Sequence, residues 1–261
     1  MTTQNVHNHH QALSKLLDQT PGLWRGSQNR PATGSTRSRP ASHTIATPGN
    51  GDLFDDLAVN QDSPSPQPVL ATGFSPLDKL LPHGGWPDSG LVEMICPHQG
   101  IGELQLLMPL LRERSQRQQS ILWIAPPYPL HGPALTRSGI NIRNSFVIPP
   151  QTSCNQALWS IEKALQSDEC GLVLAWQNWL SARVIRRLQL AASEGGTLGI
   201  LFHQRPTTNS PAALQLQLSS SVTPINQRET STDRDRRSID VRLLKAKGSY
   251  HQGQVKITLP C

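Results

Sequence analysis

The residues that come nearest to a chemical site lie in one loop, residues 97–104 (PHQGIGEL), between a predicted strand and a predicted helix. A phosphate-binding loop at such a junction ends in Gly-Lys-Ser/Thr, whose lysine neutralises phosphate and whose hydroxyl binds Mg²⁺. Here Glu103 stands at the lysine position, where a carboxylate would repel phosphate. The sequence therefore predicts a degenerate P-loop without nucleotide, formed by Pro97 (in place of the first glycine), Gly100, Gly102, Glu103 and Leu104 (in place of the hydroxyl).

Two other strand ends that phosphoryl transfer needs are also altered. The segment GLVLAW (171–176) ends in Trp176, where an aspartate that helps to hold Mg²⁺ is expected. The segment SILWIAPP (120–127) ends in Ala125-Pro126-Pro127, where a water-activating carboxylate is expected. Because the three losses are independent, we predict that the chain is not an enzyme, with no catalytic residue and no cofactor.

The remaining reactive side chains do not form a second site. Cys154 is predicted to be a buried or cap-adjacent structural thiol, and Glu93, within a strand, is at least as plausible a structural carboxylate as a base. The histidines His7, His9 and His10 have no cysteine or carboxylate at ligand spacing, so no metal site is predicted. The four cysteines form no CxxC pair, which is typical of a reducing compartment.

From residue 69 onward, apolar segments alternate between strand and helix spacing. The strand segments are apolar on both faces, which predicts an α/β fold whose mostly parallel sheet is flanked by helices and closed by a C-terminal antiparallel hairpin. The predicted strands are residues 91–97, 120–127, 146–150, 171–176, 197–202 and 214–218, and the two strands of the hairpin are 239–248 and 253–259. The predicted helices are 77–81, 131–139, 154–167 and 181–194. A further helix follows the first strand and has Leu104, Leu107, Met108 and Leu111 on its apolar stripe.

Composition divides the chain into three parts. Residues 1–25 are predicted to be an N-terminal helical docking segment, because a helix as short as theirs is marginal unless it packs on something. Residues 26–67 are rich in Ser, Thr, Pro, Asn and Gly and read as a disordered linker. Residues 68–261 are predicted to form the core, with a flexible loop at 219–238.

The net charge of +6 leaves two interpretations open. A basic protein can bind nucleic acid, and the candidate contacts are Arg183, Arg186, Arg187, Lys245 and Lys247. The charges are diffuse, however, which favours a basic solvated surface over a dedicated DNA-binding groove. No apolar run reaches the roughly 20 residues that span a bilayer, so we expect no membrane contact and a cytoplasmic location.

Several motifs carry a resemblance to known families. TGFSPLDKLLPHGGWPDSGLVEMICP (72–97) resembles the segment before the phosphate-binding loop in the RecA family, and LFHQRP (201–206) resembles its strand with a nucleotide-sensing glutamine, here Gln204. Within that superfamily the chain is similar to the ImuA family, SulA-like proteins associated with translesion DNA synthesis. The residues that carry this likeness are 21–26 (PGLWRG), 84–87 (GGWP), 98–104 (HQGIGEL), 186–196 (RRLQLAASEGG) and 210–218 (SPAALQLQL).

The resemblance implies a RecA-like fold and a bacterial, non-catalytic accessory protein of the SOS DNA-damage response. Its implied partners are RecA, an ImuB-type Y-family polymerase-like protein and an error-prone replicative polymerase. We expect the docking segment to contact a partner through Leu13, Leu16, Leu17, Leu23 and Trp24. Residues 91–205 also resemble SulA, which leaves open a cell-division inhibitor that binds FtsZ. A weak nucleotide- or DNA-binding module is the third alternative.

Overall fold

The computed structural model describes residues 24–25, 70–177, 180–220, 237–250 and 252–260. The predicted N-terminal helix and the predicted linker lie outside these residues, as do residues 221–236 of the predicted flexible loop. The proposed division of the chain into docking segment, linker and core therefore stays a prediction.

The described elements follow the alternating order that the apolar pattern predicts. The strands are β1 (Trp24–Arg25), β2 (Gly90–Ile95), β3 (Ser120–Ile124), β4 (Ser145–Ile148), β5 (Cys170–Trp176), β6 (Leu198–His203), β7 (Leu214–Ser220), β8 (Ser238–Ala246) and β9 (Gly253–Thr258). The helices are α1 (Ser75–Leu80), α2 (Glu103–Gln116), α3 (Gly132–Arg137), α4 (Cys154–Leu165) and α5 (Ala182–Gly195).

All nine described strands belong to one sheet, in the order β1-β4-β3-β5-β6-β2-β7-β8-β9. The six central strands, β4, β3, β5, β6, β2 and β7, are parallel to one another. By contrast, β1, β8 and β9 pair antiparallel with their neighbours. The predicted α/β class, with a mostly parallel sheet and C-terminal antiparallel strands, is confirmed. Because the central strands are parallel, their last residues lie along one side of the sheet, which we call the carboxyl edge.

Helices cover both faces of this sheet and separate two apolar cores. Residues of α1, α2 and α3 pack with Trp86, Trp123 and the C-terminal strands on one face. On the other face α4 and α5 pack against β3, β5 and β6. Within the described part of the chain, no helix has both the length and the apolar character that crossing a membrane requires.

The buried stripe of α2 differs from the predicted one. Leu106, Leu107, Leu110 and Leu111 are fully buried, whereas Leu104 and Met108 are half-buried. The buried stripe begins with Glu103 and continues through Arg114, so two charged residues stand on the face that the sheet covers. An apolar pattern alone cannot identify that face, because the pattern assigns charged residues to solvent.

The structure describes Trp24 and Arg25 as a short strand, and the expectation that Trp24 contacts a partner stays a prediction. Trp24 pairs with Val147 and Arg25 pairs with Phe146, so β1 is an edge strand of the sheet. A strand at the edge of a sheet carries unpaired backbone groups, and β1 pairs with those of β4. A two-residue strand has no sequence periodicity by which it could be predicted.

Candidate functional site

The loop that the sequence predicts to be a degenerate P-loop connects β2 to α2, and its central feature is the side chain of Glu103. Glu103 Oε1 accepts a hydrogen bond from the Gly100 amide at 2.8 Å, and Oε2 accepts one from the Gly102 amide at 3.1 Å. The side chain is only 6% exposed. Amides that converge at a helix N-terminus form an anion-binding nest. In this chain the nest already holds an anion, which is the carboxylate of Glu103. We call residues 97–104, with their amides occupied in this way, the filled loop.

The geometry of the loop depends on Gly102, which precedes α2 with φ of +116°. A Cβ at this position would collide with the side chain of Leu259, which follows β9. Gly100 also has a positive φ, of +76°, but nothing lies within 4 Å of the position of its missing Cβ. Backbone conformation therefore requires glycine at both positions, and tight packing requires it at Gly102 as well.

We expect Gly102→Ala to lower the free energy of unfolding by about 2–3 kcal/mol, because it adds a steric clash to an unfavourable backbone conformation. Gly100→Ala is the matched control and should cost about 1 kcal/mol, the conformational part alone. Denaturant unfolding followed by circular dichroism measures both values. Equal losses for the two variants would contradict the packing role of Gly102.

An aromatic ring, that of Trp176, occupies the strand end where a metal-binding aspartate was expected. Trp176, at the end of β5, stacks on Phe202 of β6 with ring centroids 4.4 Å apart, and on Trp123 of β3 at 6.3 Å. Both pairs are within 10° of parallel. Among the described residues, no group of His, Cys, Asp or Glu side chains could hold a metal ion. This edge can offer a partner apolar and aromatic contacts.

A groove of about 340 Å³ opens at the carboxyl edge beside the filled loop. Its walls combine the start of α2, the Pro-rich chain after β3, the helix α3 and the Trp176 ring. Tyr128 is 64% exposed there. Sequence analysis did not identify this surface, although the run of prolines around Tyr128 marks a segment that cannot fold inward as regular structure. The main apolar lining residues are Leu104, Pro126, Tyr128, Leu130, Leu135 and Trp176.

The predicted loop residues are thus brought to one side of this groove. Gly100, Gly102, Glu103 and Leu104 all line it, whereas Pro97 is exposed on the loop. Apolar grooves with a few polar groups are the common form of binding sites. The loop that would bind phosphate in a nucleotide-hydrolysing protein forms, in this chain, one wall of an apolar surface.

Comparison with known proteins gives the family. Residues 91–199 match the family model described as "Cell division inhibitor SulA". The chain is 33% identical over 124 residues to SulA of Yersinia pestis (strain Pestoides F), a match that covers 47% of this chain and 72% of that protein. SulA of Yersinia pseudotuberculosis serotype O:1b (strain IP 31758) matches with the same identity and coverage. The chain belongs to the SulA family.

A solved structure extends the list of relatives. The crystal structure of SulA from Pseudomonas aeruginosa is 28% identical and is matched over 96% of its length and 43% of this chain, with a TM-score of 0.37. The SulA match runs from β2 to the start of β6 and includes the filled loop and most of the groove. The family is described by inhibition of cell division, which is not an enzymatic activity. The narrower likeness to the ImuA family is not established by these matches.

This SulA family member has a buried polar cluster in the middle of the sheet, formed by residues of β2, β6 and β7. Glu93 of β2 is fully buried, and its Oε1 lies 3.3 Å from Nε2 of His203 on β6. Gln215 of β7 donates from Nε2 to Glu93 Oε2 at 3.3 Å. The other ring nitrogen of His203, Nδ1, is 2.9 Å from the Gln177 carbonyl oxygen. The sequence suggested a structural carboxylate at Glu93, but its partners stand on other strands and carried no signal.

Burial tends to raise the pKa of Glu93, but the contacts with His203, Ser210 and Thr207 outweigh it, so the pKa lies below its ordinary value. Glu93 is therefore a buried carboxylate that remains ionised near neutral pH. The Glu93 carboxylate on β2 contacts His203 on β6 and Gln215 on β7, so it links three neighbouring strands.

The candidate nucleic-acid contacts do not form one patch. Arg183, Arg186 and Arg187 are exposed on α5, whose first residues lie near the carboxyl edge, and Arg187 pairs with Glu162 of α4 at 3.2 Å. Lys245 donates to the Ser210 carbonyl oxygen. Lys247 is exposed near the opposite edge, where its amide bonds to Ala213. Gln204, the counterpart of the nucleotide-sensing glutamine, is exposed. A contact with DNA through either group stays a prediction.

Two of the three described cysteines, Cys96 and Cys170, are buried and are poor nucleophiles. Burial raises the pKa of Cys170 to about 12, and burial together with the nearby Glu103 charge raises that of Cys96. Both thiols therefore stay protonated at neutral pH, and a protonated thiol is a poor nucleophile. Cys154 is the first residue of α4, next to the Ser153 cap, and is exposed instead of buried.

Proposed function

We propose that this member of the SulA family inhibits cell division by binding another protein, and that the tubulin-like FtsZ is its partner. The observation that carries the proposal is the match to SulA proteins at 33% identity over 72% of their length. The filled loop supports a mode of action by binding alone, because the Glu103 carboxylate occupies the amides that a phosphate group would need.

The groove at the carboxyl edge is the proposed contact surface. It is mostly apolar, it lies almost wholly within the segment that matches SulA, and Tyr128 and Trp176 line it. Tyrosine and tryptophan are frequent hot-spot residues, because a large ring loses little conformational entropy when a partner covers it. The adjacent Glu103 carboxylate keeps the loop rigid, so the groove is formed before binding.

We expect the purified full chain to reduce GTP-dependent polymerisation of FtsZ, as measured by sedimentation, and its overexpression to produce filamentous cells. The double variant Tyr128→Ser/Leu130→Ser should weaken FtsZ binding about 30-fold, which corresponds to a loss of about 2 kcal/mol at a hot spot. Leu190→Ser is the matched control, since Leu190 is equally exposed but lies on α5, on the other face of the sheet.

A wild-type chain that neither binds FtsZ nor filaments cells would refute the division-inhibitor proposal. Loss of activity in Leu190→Ser with retention in the double variant would refute the choice of surface alone.

A second candidate function is an accessory role in translesion DNA synthesis, with RecA and an ImuB-type polymerase-like protein as partners and an error-prone replicative polymerase as the enzyme they serve. The observation that favours it is the part of the chain beyond the SulA match. Strands β7, β8 and β9 extend the same sheet, and β7 pairs directly with β2. The motif likenesses at 84–87 and 210–218 also lie outside the matched segment.

Affinity purification of the full chain from cells with damaged DNA separates the two candidates. Recovery of FtsZ without RecA or ImuB supports division inhibition, and recovery of ImuB or RecA without FtsZ supports the accessory role. The surface variants described above then identify which face is used in either case.

A further inference from the structure

A segment of this chain is suited to the groove described above. The predicted helix over residues 12–17 places Leu13, Leu16 and Leu17 on one side, because residues three and four apart share a helix face. A helix of this length is marginal in water and requires a surface on which to pack. The apolar groove at the carboxyl edge is such a surface.

The direction of β1 carries the segment toward this groove. Since Trp24 pairs with Val147 and Arg25 with Phe146 in antiparallel fashion, the chain that precedes Trp24 leaves the sheet at the carboxyl edge. At that edge the Ile148 carbonyl oxygen accepts a hydrogen bond from the Ala125 amide at 2.8 Å. Ala125 directly precedes Pro126 and Pro127, which line the groove. The connection between the segment and the groove is therefore short.

The length of chain is sufficient for the connection. Neighbouring strands are about 4.8 Å apart, so β1 and β3, which are separated by β4, lie about 10 Å from each other. The chain between Leu17 and Trp24 can span up to about 23 Å when extended. Charges also match, because Asp18 follows the leucines and Arg237 lines the groove.

We infer that the leucine segment, residues 12–18, occupies the groove of its own chain and covers it until a partner displaces it. The segment is tethered, so it competes at a high effective concentration and lowers the apparent affinity of any partner that uses the groove. The inference goes beyond the proposed function and does not depend on the identity of that partner. It assigns a regulatory role to residues that the sequence alone placed in contact with another protein.

Disulfide trapping in the full chain tests this contact directly. The exposed Cys154 and the C-terminal Cys261 are first replaced by serine, and Leu17→Cys is combined with Tyr128→Cys. We expect an intramolecular disulfide in dilute, mildly oxidised protein, formed at least about 10-fold faster than in a control pair of Leu17→Cys with Leu190→Cys. Mass spectrometry of the intact and the digested chain detects the bond.

Equal rates for the two pairs would overturn the inference, because random collisions of a tether would explain both. Disulfide-linked dimers without the intramolecular product would also overturn it, since the occupant would then be a second copy of the chain. Neither result involves FtsZ, RecA or ImuB, so failure here leaves the proposed function standing, and the reverse also holds.

Hydrogen exchange in the full chain provides a second measurement. The variant Leu13→Ser/Leu16→Ser/Leu17→Ser should exchange the amides of residues 127–135 at least about 3-fold faster than wild type, since uncovered segments open more readily. The variant Ser14→Ala/Lys15→Ala alters the opposite side of the predicted helix and should leave this exchange unchanged. Unchanged exchange in the serine variant would contradict a covered groove.

Discussion

Replacing Glu93 with alanine should lower the free energy of unfolding by about 3–5 kcal/mol, because it removes a fully buried carboxylate together with the polar contacts that this carboxylate makes. Glu93 has no exposed surface, and it contacts His203 and Gln215 on the strands at either side of β2. Without the carboxylate, His203 Nε2 would lose its contact in the core, and the Gln215 amide would keep only its hydrogen bond to the Thr207 carbonyl oxygen. Unsatisfied buried groups carry the full penalty of desolvation.

Urea unfolding of purified wild type and variant measures this loss. The matched control is Glu162→Ala, which removes the carboxylate of an ion pair at the surface, with Arg187 56% exposed. Because exposed ion pairs contribute little, the control should lose no more than about 1 kcal/mol. If Glu93→Ala were as stable as Glu162→Ala, the buried cluster could not be the link between β2, β6 and β7.

The same cluster predicts how stability depends on pH. The folded pKa of Glu93 lies below its ordinary value of 4.5, since the contacts with His203, Ser210 and Thr207 outweigh the opposing effect of burial. A lowered folded pKa gives stability that is present above pH 4.5 and is lost as pH falls through the folded value. Wild type should therefore lose stability more steeply than Glu93→Gln over this acid range, and parallel curves would refute the assignment.

The second large effect is expected at the filled loop. Glu103→Lys should lower the free energy of unfolding by about 3–5 kcal/mol, because it removes two charge-assisted hydrogen bonds and places a cation against amide donors. Although lysine is the residue of a functional phosphate-binding loop, this variant should bind no MgATP in calorimetry. Leu104 supplies no hydroxyl for Mg²⁺, and the Trp176 and Phe202 rings stack at the neighbouring strand ends.

Glu103→Gln is the matched control for the loop. Its amide oxygen can accept one of the two hydrogen bonds from Gly100 and Gly102, so it should lose only about 1–2 kcal/mol. Micromolar MgATP binding by wild type, or by Glu103→Lys, would show that the loop retains a phosphate site. That result would remove the physical basis for a function by protein binding alone.

The sequence by itself determined the type and order of the core elements. Period-two and period-3.6 patterns are local properties, so they identify β2 through β9 and α1 through α5 without knowledge of the fold. The doubly apolar strands likewise predict a parallel sheet, because only a sheet with both faces covered can bury them. Glu103 between Gly102 and Leu104 predicts from residue type alone that the loop repels phosphate.

Only the tertiary structure decided what the loop amides bind. The sequence predicts that Glu103 repels phosphate, whereas the structure shows its carboxylate bound to the loop amides. The Glu93 cluster joins residues more than 100 positions apart in the chain, and the groove joins the loops that follow β2 and β3 with the last residue of β5. Such contacts depend on strand order, which is set by the packing of the whole sheet and leaves no periodic trace in the sequence.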